Sequence, residues 1–496
     1  MKNIVCLVFL LPSLIFGQLQ QELRKEINVK ENAVDFVKLV GAKGIVSYGY
    51  RTERPDKFLE INAFNSEFKN NFSKEIAVPM KSYFSPVLYD DKTDNLYFVY
   101  ADKRNLTLVT YNTLKRTFKK KEIFFIEKFY CKNSYLVGGK IFIEGMKKKL
   151  PAILILDVID GTQKYVTVPG QNKKRMINSC QPDSRDEALA VFYRDGKDMK
   201  NGNMYVFLVG KRGEIVVRPL LLDKDPKYGI IDGKITWVND REFVLAGSYS
   251  IDRRASAGGV FFSKWIDENQ EFITYHSFTN FTNFYKFLPE KRQEKIEKKR
   301  DKKKEAGKED FVRSLVVNHP VLIRGEEGYT YVGEFYYPTY RTEYYTTYVK
   351  GTPVTHTRQV FDGYQYTHAV ILGLDEAGNK QYDYCFDIQL NFKPFTVINN
   401  IRISTDATDL TKLLYCTGKN IKAVYVKDGK ISEKNYGEIE TEKEGDIVKW
   451  TGLTNSLYWY DNFFLVFGRQ KIKNKENKEV EKKRTIFFLS KISFTD

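Results

Sequence analysis

The sequence predicts an all-β protein, an eight-bladed β-propeller whose N-terminal strand closes the last blade. Three observations carry this reading. An apolar strand, a polar turn and a returning strand recur along the 496 residues, each time preceded by a further apolar strand. Successive units are mostly spaced by about 45 to 55 residues, the repeat of a four-stranded blade. The two ends of the chain complement each other: residues 485–494 (TIFFLSKISF) form a hairpin strand with no return, and residues 22–29 (ELRKEINV) resemble the return strand of the first unit, SKEIAV at 73–78.

The hairpins follow in order. They cover residues 58–76, 106–123, 152–168, 204–220, 259–275, 368–390 and 422–439. Their turns fall at Asn65-Ser66-Glu67, Asn112-Thr113-Leu114, Asp160-Gly161-Thr162, Lys211-Arg212-Gly213, Asp267-Glu268-Asn269, 375–379 and Lys427-Asp428-Gly429. Asp-Gly and nearby glycines suit tight hairpins, which need residues that tolerate positive φ. The preceding strands are read at 44–48, 95–100, 140–144, 188–193, 242–246, 329–334 and 413–416. Each repeat therefore has at least three strands. Closure by residues 22–29 ties the termini together and removes a sheet edge. Counting the closing unit gives eight blades; seven is the alternative if one copy is not a true blade, and a pair of β-sandwiches is the alternative architecture.

Composition agrees with strands. Aromatic residues make up 15%, dominated by Tyr and Phe. The opening Met1-Lys2-Asn3, an apolar run to Phe16 and Gly17 read as a cleaved export signal over residues 1–17, too short to span a bilayer. Residues 18–496 are then one domain. Cys131, Cys180, Cys385 and Cys416 permit two disulfides or four separate buried thiols. The net charge of +17 could serve nucleic acid, an anionic membrane surface or acidic glycans. The export signal and the lack of any nucleic-acid-binding module argue against nucleic acid, and many lysines lie in mixed-charge runs typical of solvated loops.

Two insertions interrupt the repeat. Residues 279–310 include EKRQEKIEKKRDKKKEAGKED, strong helix formers with little apolar surface, so a solvated helix or a disordered arm. Residues 335–361 (FYYPTYRTEYYTTYVKGTPVTHTRQVF) read as a long hairpin with its tip near Lys350-Gly351-Thr352-Pro353. A shorter charged run at 471–484 reads as a hairpin between the last two strands.

Catalytic motifs are missing. The four histidines, His276, His319, His356 and His368, show no zinc-ligand spacing, and no nucleophile elbow, phosphate loop or calcium loop occurs. No cofactor or metal is expected. A glycosidase pair of carboxylates could come from different blades, but none stands out in the sequence.

The aromatic insertion is the functional candidate. Tyr336, Tyr337, Tyr340, Tyr344, Tyr345 and Tyr348 precede Phe361, Tyr364 and Tyr366, with Arg341, Glu343, Asp362 and His368 as polar neighbours. Tyrosines offer large rigid area with a polar tip, which suits sugar stacking or protein anchoring. The competing reading packs them against their own blade, with Asp362-Gly363 as a plain turn.

The signal ending Phe16-Gly17-Gln18, the segment EFYYPTYRTEY at 334–344 and FDGYQYTHA at 361–369 resemble uncharacterised exported proteins of Bacteroidota, as do the copies around Gly247-Ser248-Tyr249-Ser250 and Gly259-Val260-Phe261-Phe262. The resemblance implies export and no particular activity. The chain ends in a blade strand with no C-terminal secretion domain, so retention in the periplasm, beside an outer-membrane complex, is expected. The functional expectation is a non-enzymatic propeller that binds a protein or envelope component through the tyrosine hairpin; the alternative is a glycan-binding or glycan-active propeller.

Overall fold

The computed structural model describes residues 18–29, 34, 36–80, 83–84, 86–102, 104–170, 173–253, 256–282, 284–285, 288–306, 316–325, 328–388, 390, 392–404, 410–417, 420–427, 430–476 and 481–495. The expected export signal at 1–17, the Asp428-Gly429 turn and the end of the charged insertion at 307–310 lie outside them.

Alternating apolar strands and polar turns fold into eight antiparallel sheets arranged as blades. Blades 1 to 7 cover residues 36–78, 83–124, 129–167, 176–221, 228–277, 316–387 and 402–438, and blade 8 joins 446–495 to Gln18–Asn28. Within each blade the strands lie in chain order from the channel outward. Blade 2 departs slightly, its inner edge being shared by Tyr83–Phe84 and Leu88–Asp90.

The ring closes as expected. Gln18–Asn28 pairs antiparallel with Lys483–Thr495, from Gln18 opposite Thr495 to Asn28 opposite Ile486, with one bulge after Gln21. A buried ionic network fastens this seam. Arg484 pairs with Asp446 and, at 3.0 Å, with Glu26; Arg24 pairs with Glu26 at 2.9 Å and lies over the Phe488 ring.

The core is not central but divided among the interfaces between blades. Eight apolar clusters are present among the described residues, one for each neighbouring pair, including blade 8 with blade 1. At that last junction Phe68 stacks on Trp459, whose Nε1 donates to Gly41 O at 2.8 Å. Both faces of every blade are apolar because both are covered, as in any sheet stacked between two others.

The seven sequence-read hairpins all form. The reading missed the innermost strands, such as Met176–Pro182, Val316–Arg324 and Arg402–Ile403. These carry polar and charged residues or are very short, so the period-2 apolar signal fades. The disulfide option is corrected: Cys131, Cys180, Cys385 and Cys416 are free thiols on separate strands in blades 3, 4, 6 and 7. The charged insertion is a helix over Glu290–Glu305, mostly exposed. None of the described helices is long and apolar enough to cross a membrane.

The meander sorts the connections onto two faces. Turns between second and third strands, and links from one blade to the next, share one face, here called the upper face. Backbone hydrogen bonds lace them together: Phe125 N to Arg104 O at 2.9 Å, Val168 N to Pro151 O at 3.0 Å, and Phe278 N to Gly258 O at 3.1 Å. The remaining turns lie on the lower face.

A candidate binding hairpin on blade 6

Blade 6 is built from Val316–Arg324, Tyr329–Val349, Thr352–Leu374 and Lys380–Asp387. Its middle strands far outrun their neighbours. Among the described residues, the inner strand pairs as far as Tyr336 and the outer one as far as His368. Beyond these points the two strands continue as a ribbon that, among the described residues, pairs with no further strand, closed by a two-residue turn at Lys350 (φ 50°) and Gly351 (φ 81°). The ribbon rises from the upper face, as the insertion at 335–361 led one to expect.

A register shift between Pro338 and Tyr340 decides which side chains share a side of the ribbon. Beyond it, Tyr340, Tyr344 and Tyr348 alternate with Thr342 and Thr346 along one side, opposite Phe361, Gln359, Thr357, Thr355 and Pro353. Tyr340, Tyr344 and Tyr348 are 61%, 73% and 75% exposed. The other side carries a polar brace. Glu343 accepts from Arg341 at 2.8 Å and from Arg358 at 3.1 and 2.8 Å. Those bonds, Arg358 first, hold its carboxyl below the usual carboxylate range. Beside this brace Tyr345 stacks on His356 at 5.3 Å.

The base of the ribbon is seated on the link at residues 388–401. Lys393 pairs with Asp362 at 2.8 Å, which lowers the Asp362 carboxyl, and Tyr364 N donates to Pro394 O at 2.8 Å. Gly363 sits at φ +93°, and a Cβ there would come within 2.7 Å of Lys393 O, so only glycine admits this approach. Asp362-Gly363 is thus a docking point within a continuous strand rather than a turn. Tyr366 donates its hydroxyl to Ile398 O at 2.6 Å and accepts from Ile398 N at 2.8 Å. Phe361 packs edge-on against Tyr340, Tyr364 and Phe395.

The expected site therefore splits. Tyr340, Arg341, Tyr344 and Tyr345 are exposed, as is Tyr348, while Tyr337, Glu343, Phe361, Asp362 and Tyr364 are half-buried. Tyr336 packs on Tyr364 and Tyr366, and burial pushes its hydroxyl up to about 12. Tyr366 and His368 are corrected to core residues, both with no exposed area. His368 stacks flat on Phe335 at 4.5 Å and meets the edge of Phe284, because the blade 5 to 6 link inserts Phe278, Phe281 and Phe284 between the blades. Burial pulls the His368 imidazole down to about 3.

That shift predicts an acid limb. Folded His368 stays neutral while the unfolded side chain protonates below about 6.5. Stability from this group is complete above pH about 6.5 and falls as pH drops towards 3, by up to about 1.4 kcal/mol per pH unit. Denaturant melts at several pH values should show a steeper acid loss in the parent than in His368→Phe; equal slopes would refute the assignment.

Sequence reading also missed Glu334 and the 388–401 link. The Glu334 carboxylate is buried and accepts from Asn400 N at 3.0 Å, Asn400 Nδ2 at 2.9 Å and Ile401 N at 3.0 Å. Burial raises its carboxyl despite these donors. The only legible signal was one acidic residue in an otherwise apolar strand.

No protein-family model matches the chain, and no curated protein matches it. Among solved structures it is similar to the β-propeller domain of Vanderwaltozyma polyspora Nup133, with TM-score 0.41 and 10% identity over 89% of this chain and 99% of that one. It is also similar to the β-propeller domain of the Trilobed protease from Pyrococcus furiosus, with TM-score 0.35 and 8% identity over 81% and 97%. The polysaccharide lyase Uly1 gives TM-score 0.39 and 9% identity over 95% and 99%. Likenesses at this level assign no activity.

The channel side of the molecule is mainly apolar where a cavity is present. A cavity of about 640 Å³ borders Phe36, Val37, Lys38, Leu39, Tyr48, Pro86, Val87, Tyr89 and Leu457, beside the inner strands of blades 8, 1 and 2. The carboxylates of the described innermost strands are Asp90, Asp232 and Asp446, in non-adjacent blades. Asp90 accepts from Thr93 Oγ1, Asp232 from Ser179 Oγ and Asp446 from Arg484.

Proposed function

We propose that this propeller is a non-enzymatic scaffold that captures a protein or other envelope component with the hairpin on blade 6. The basic and apolar character of residues 1–17 supports export, and within this reading the protein works in the periplasm. The observation that carries the reading is the row of Tyr340, Tyr344 and Tyr348, exposed on a braced ribbon. Rigid aromatics held out in water are costly to leave uncovered and typical of binding hot spots. Dispersed channel carboxylates, each already hydrogen-bonded, support a binding role over hydrolysis.

The test is affinity capture of the tagged protein from envelope fractions, followed by titration of the captured component. Tyr340→Ala, Tyr344→Ala and Tyr348→Ala together should weaken binding at least about tenfold, as loss of hot-spot residues does. Thermal melting should barely change, because these rings leave the blade core intact. An undiminished affinity would end this reading. Binding of soluble oligosaccharides through the same rings, with no protein captured, would favour the glycan alternative.

A further inference from the structure

We propose that the upper face of the ring, outside the hairpin, docks onto a bilayer bearing anionic headgroups. The argument begins with charge. Connections on the upper face are rich in lysine and arginine, as at Lys128, Lys148-Lys149, 173–175 (KKR) and the helix Glu290–Glu305. Turns on the lower face are rich in acid, as at Asp91, Asp240, Asp267-Glu268 and Asp375-Glu376. The connections are thus basic overall on the upper face, despite Glu440, Glu442 and Glu444 on the link from blade 7 to blade 8, and acidic overall on the lower face, despite Lys115-Arg116 and Lys211-Arg212.

Exposed apolar side chains sit among those cations. Phe124 and Ile126, on the link from blade 2 to blade 3, are 71% and 73% exposed, and Phe395, on the link from blade 6 to blade 7, is 71% exposed. The first pair stands beside Lys128, and Phe395 is two residues from Lys393. Trp450 is half-exposed, with Lys471 Nζ 5.5 Å from its ring centroid. The lower face also exposes Ile159, between Asp157 and Asp160, and Leu114, beside Lys115 and Arg116, but neither is aromatic. Aromatic and apolar tips standing among lysines suit the headgroup region of a membrane, where both kinds of side chain are favoured. A compact acidic protein would not need apolar contacts so widely separated around the ring.

The test is co-sedimentation of the full chain with vesicles. Vesicles of phosphatidylglycerol and phosphatidylethanolamine should bind it at low salt, release it at high salt, and bind it far better than phosphatidylcholine alone. Lys148→Glu with Lys149→Glu should lower the partition constant by roughly tenfold or more. Phe124→Ser with Ile126→Ser should lower it without changing the salt dependence. Ile159→Ser, on the lower face, should leave it unchanged. Failure to bind anionic vesicles, or binding to heparin alone, would overturn the proposal. So would loss of vesicle binding only when the hairpin tyrosines are replaced, since the contact would then belong to the ribbon.

Discussion

Removal of Gln18–Asn28 is expected to cost the protein its monomeric fold. The strand supplies the outer edge of blade 8 and pairs along most of Lys483–Thr495. Without it, that strand presents a row of unpaired backbone groups next to buried Ile486, Phe488 and Ile492, a template for edge-to-edge association. Leu19 and Ile27 leave two different interblade cores, a loss of about 3–6 kcal/mol from their burial alone. Removing Glu26 also takes from buried Arg484 one of its two carboxylate partners, leaving Asp446. Size-exclusion chromatography with light scattering should report oligomers or aggregates, and calorimetry a lower and broader transition. A peptide of residues 18–29 added in trans should partly restore the monomer. A shortened chain that stays monomeric with an unchanged Tm would show that ring closure is dispensable.

The second large effect is expected at the foot of the hairpin. Glu334→Ala should destabilise the protein by about 3–5 kcal/mol, the usual cost of removing one member of a buried, hydrogen-bonded charged set. The substitution leaves Asn400 N, Asn400 Nδ2 and Ile401 N without their acceptor. It also withdraws the negative charge that supports Arg402 against its own burial. Because these groups hold the 388–401 link, and the link seats Asp362 and Tyr364, partner binding should fall together with stability. Tyr344→Ala, far from the link, should reduce binding alone. Denaturant melts paired with binding titrations separate the two. Equal stability of Glu334→Ala and the parent would mean that the link docks without this carboxylate.

How much of this was legible beforehand differs between blade and site. The seven hairpins were readable because each third strand is a dense apolar run buried on both faces, as in 152–156 or 369–372, bounded by Asp, Asn and Gly turns. Ring closure was readable because a strand without a partner at one end matched a surplus strand at the other. The innermost strands were not, since a strand at the channel edge mixes polar, apolar and glycine residues; Tyr228–Trp237, which holds Asp232 and Lys234, is one such case. At the site, the length of the hairpin and a tip within residues 350–353 followed from composition, while pairing of Val349 with Thr352 fixed the turn at Lys350-Gly351. The division between exposed and buried rings did not.

By itself, then, the sequence determined the repeat, the closure and the existence of one long aromatic ribbon, because these depend on local patterning and turn chemistry. Tertiary structure decided which aromatics meet water. Tyr340, Tyr344 and Tyr348 share an exposed side only because of the register shift after Pro338, while His368 and Tyr366 are core only because Phe284 and Ile398 arrive from distant links to cover them. It also decided that basic connections predominate on one face and acidic turns on the other, since the order of turns in a meander, rather than any single stretch of chain, assigns each loop to its side.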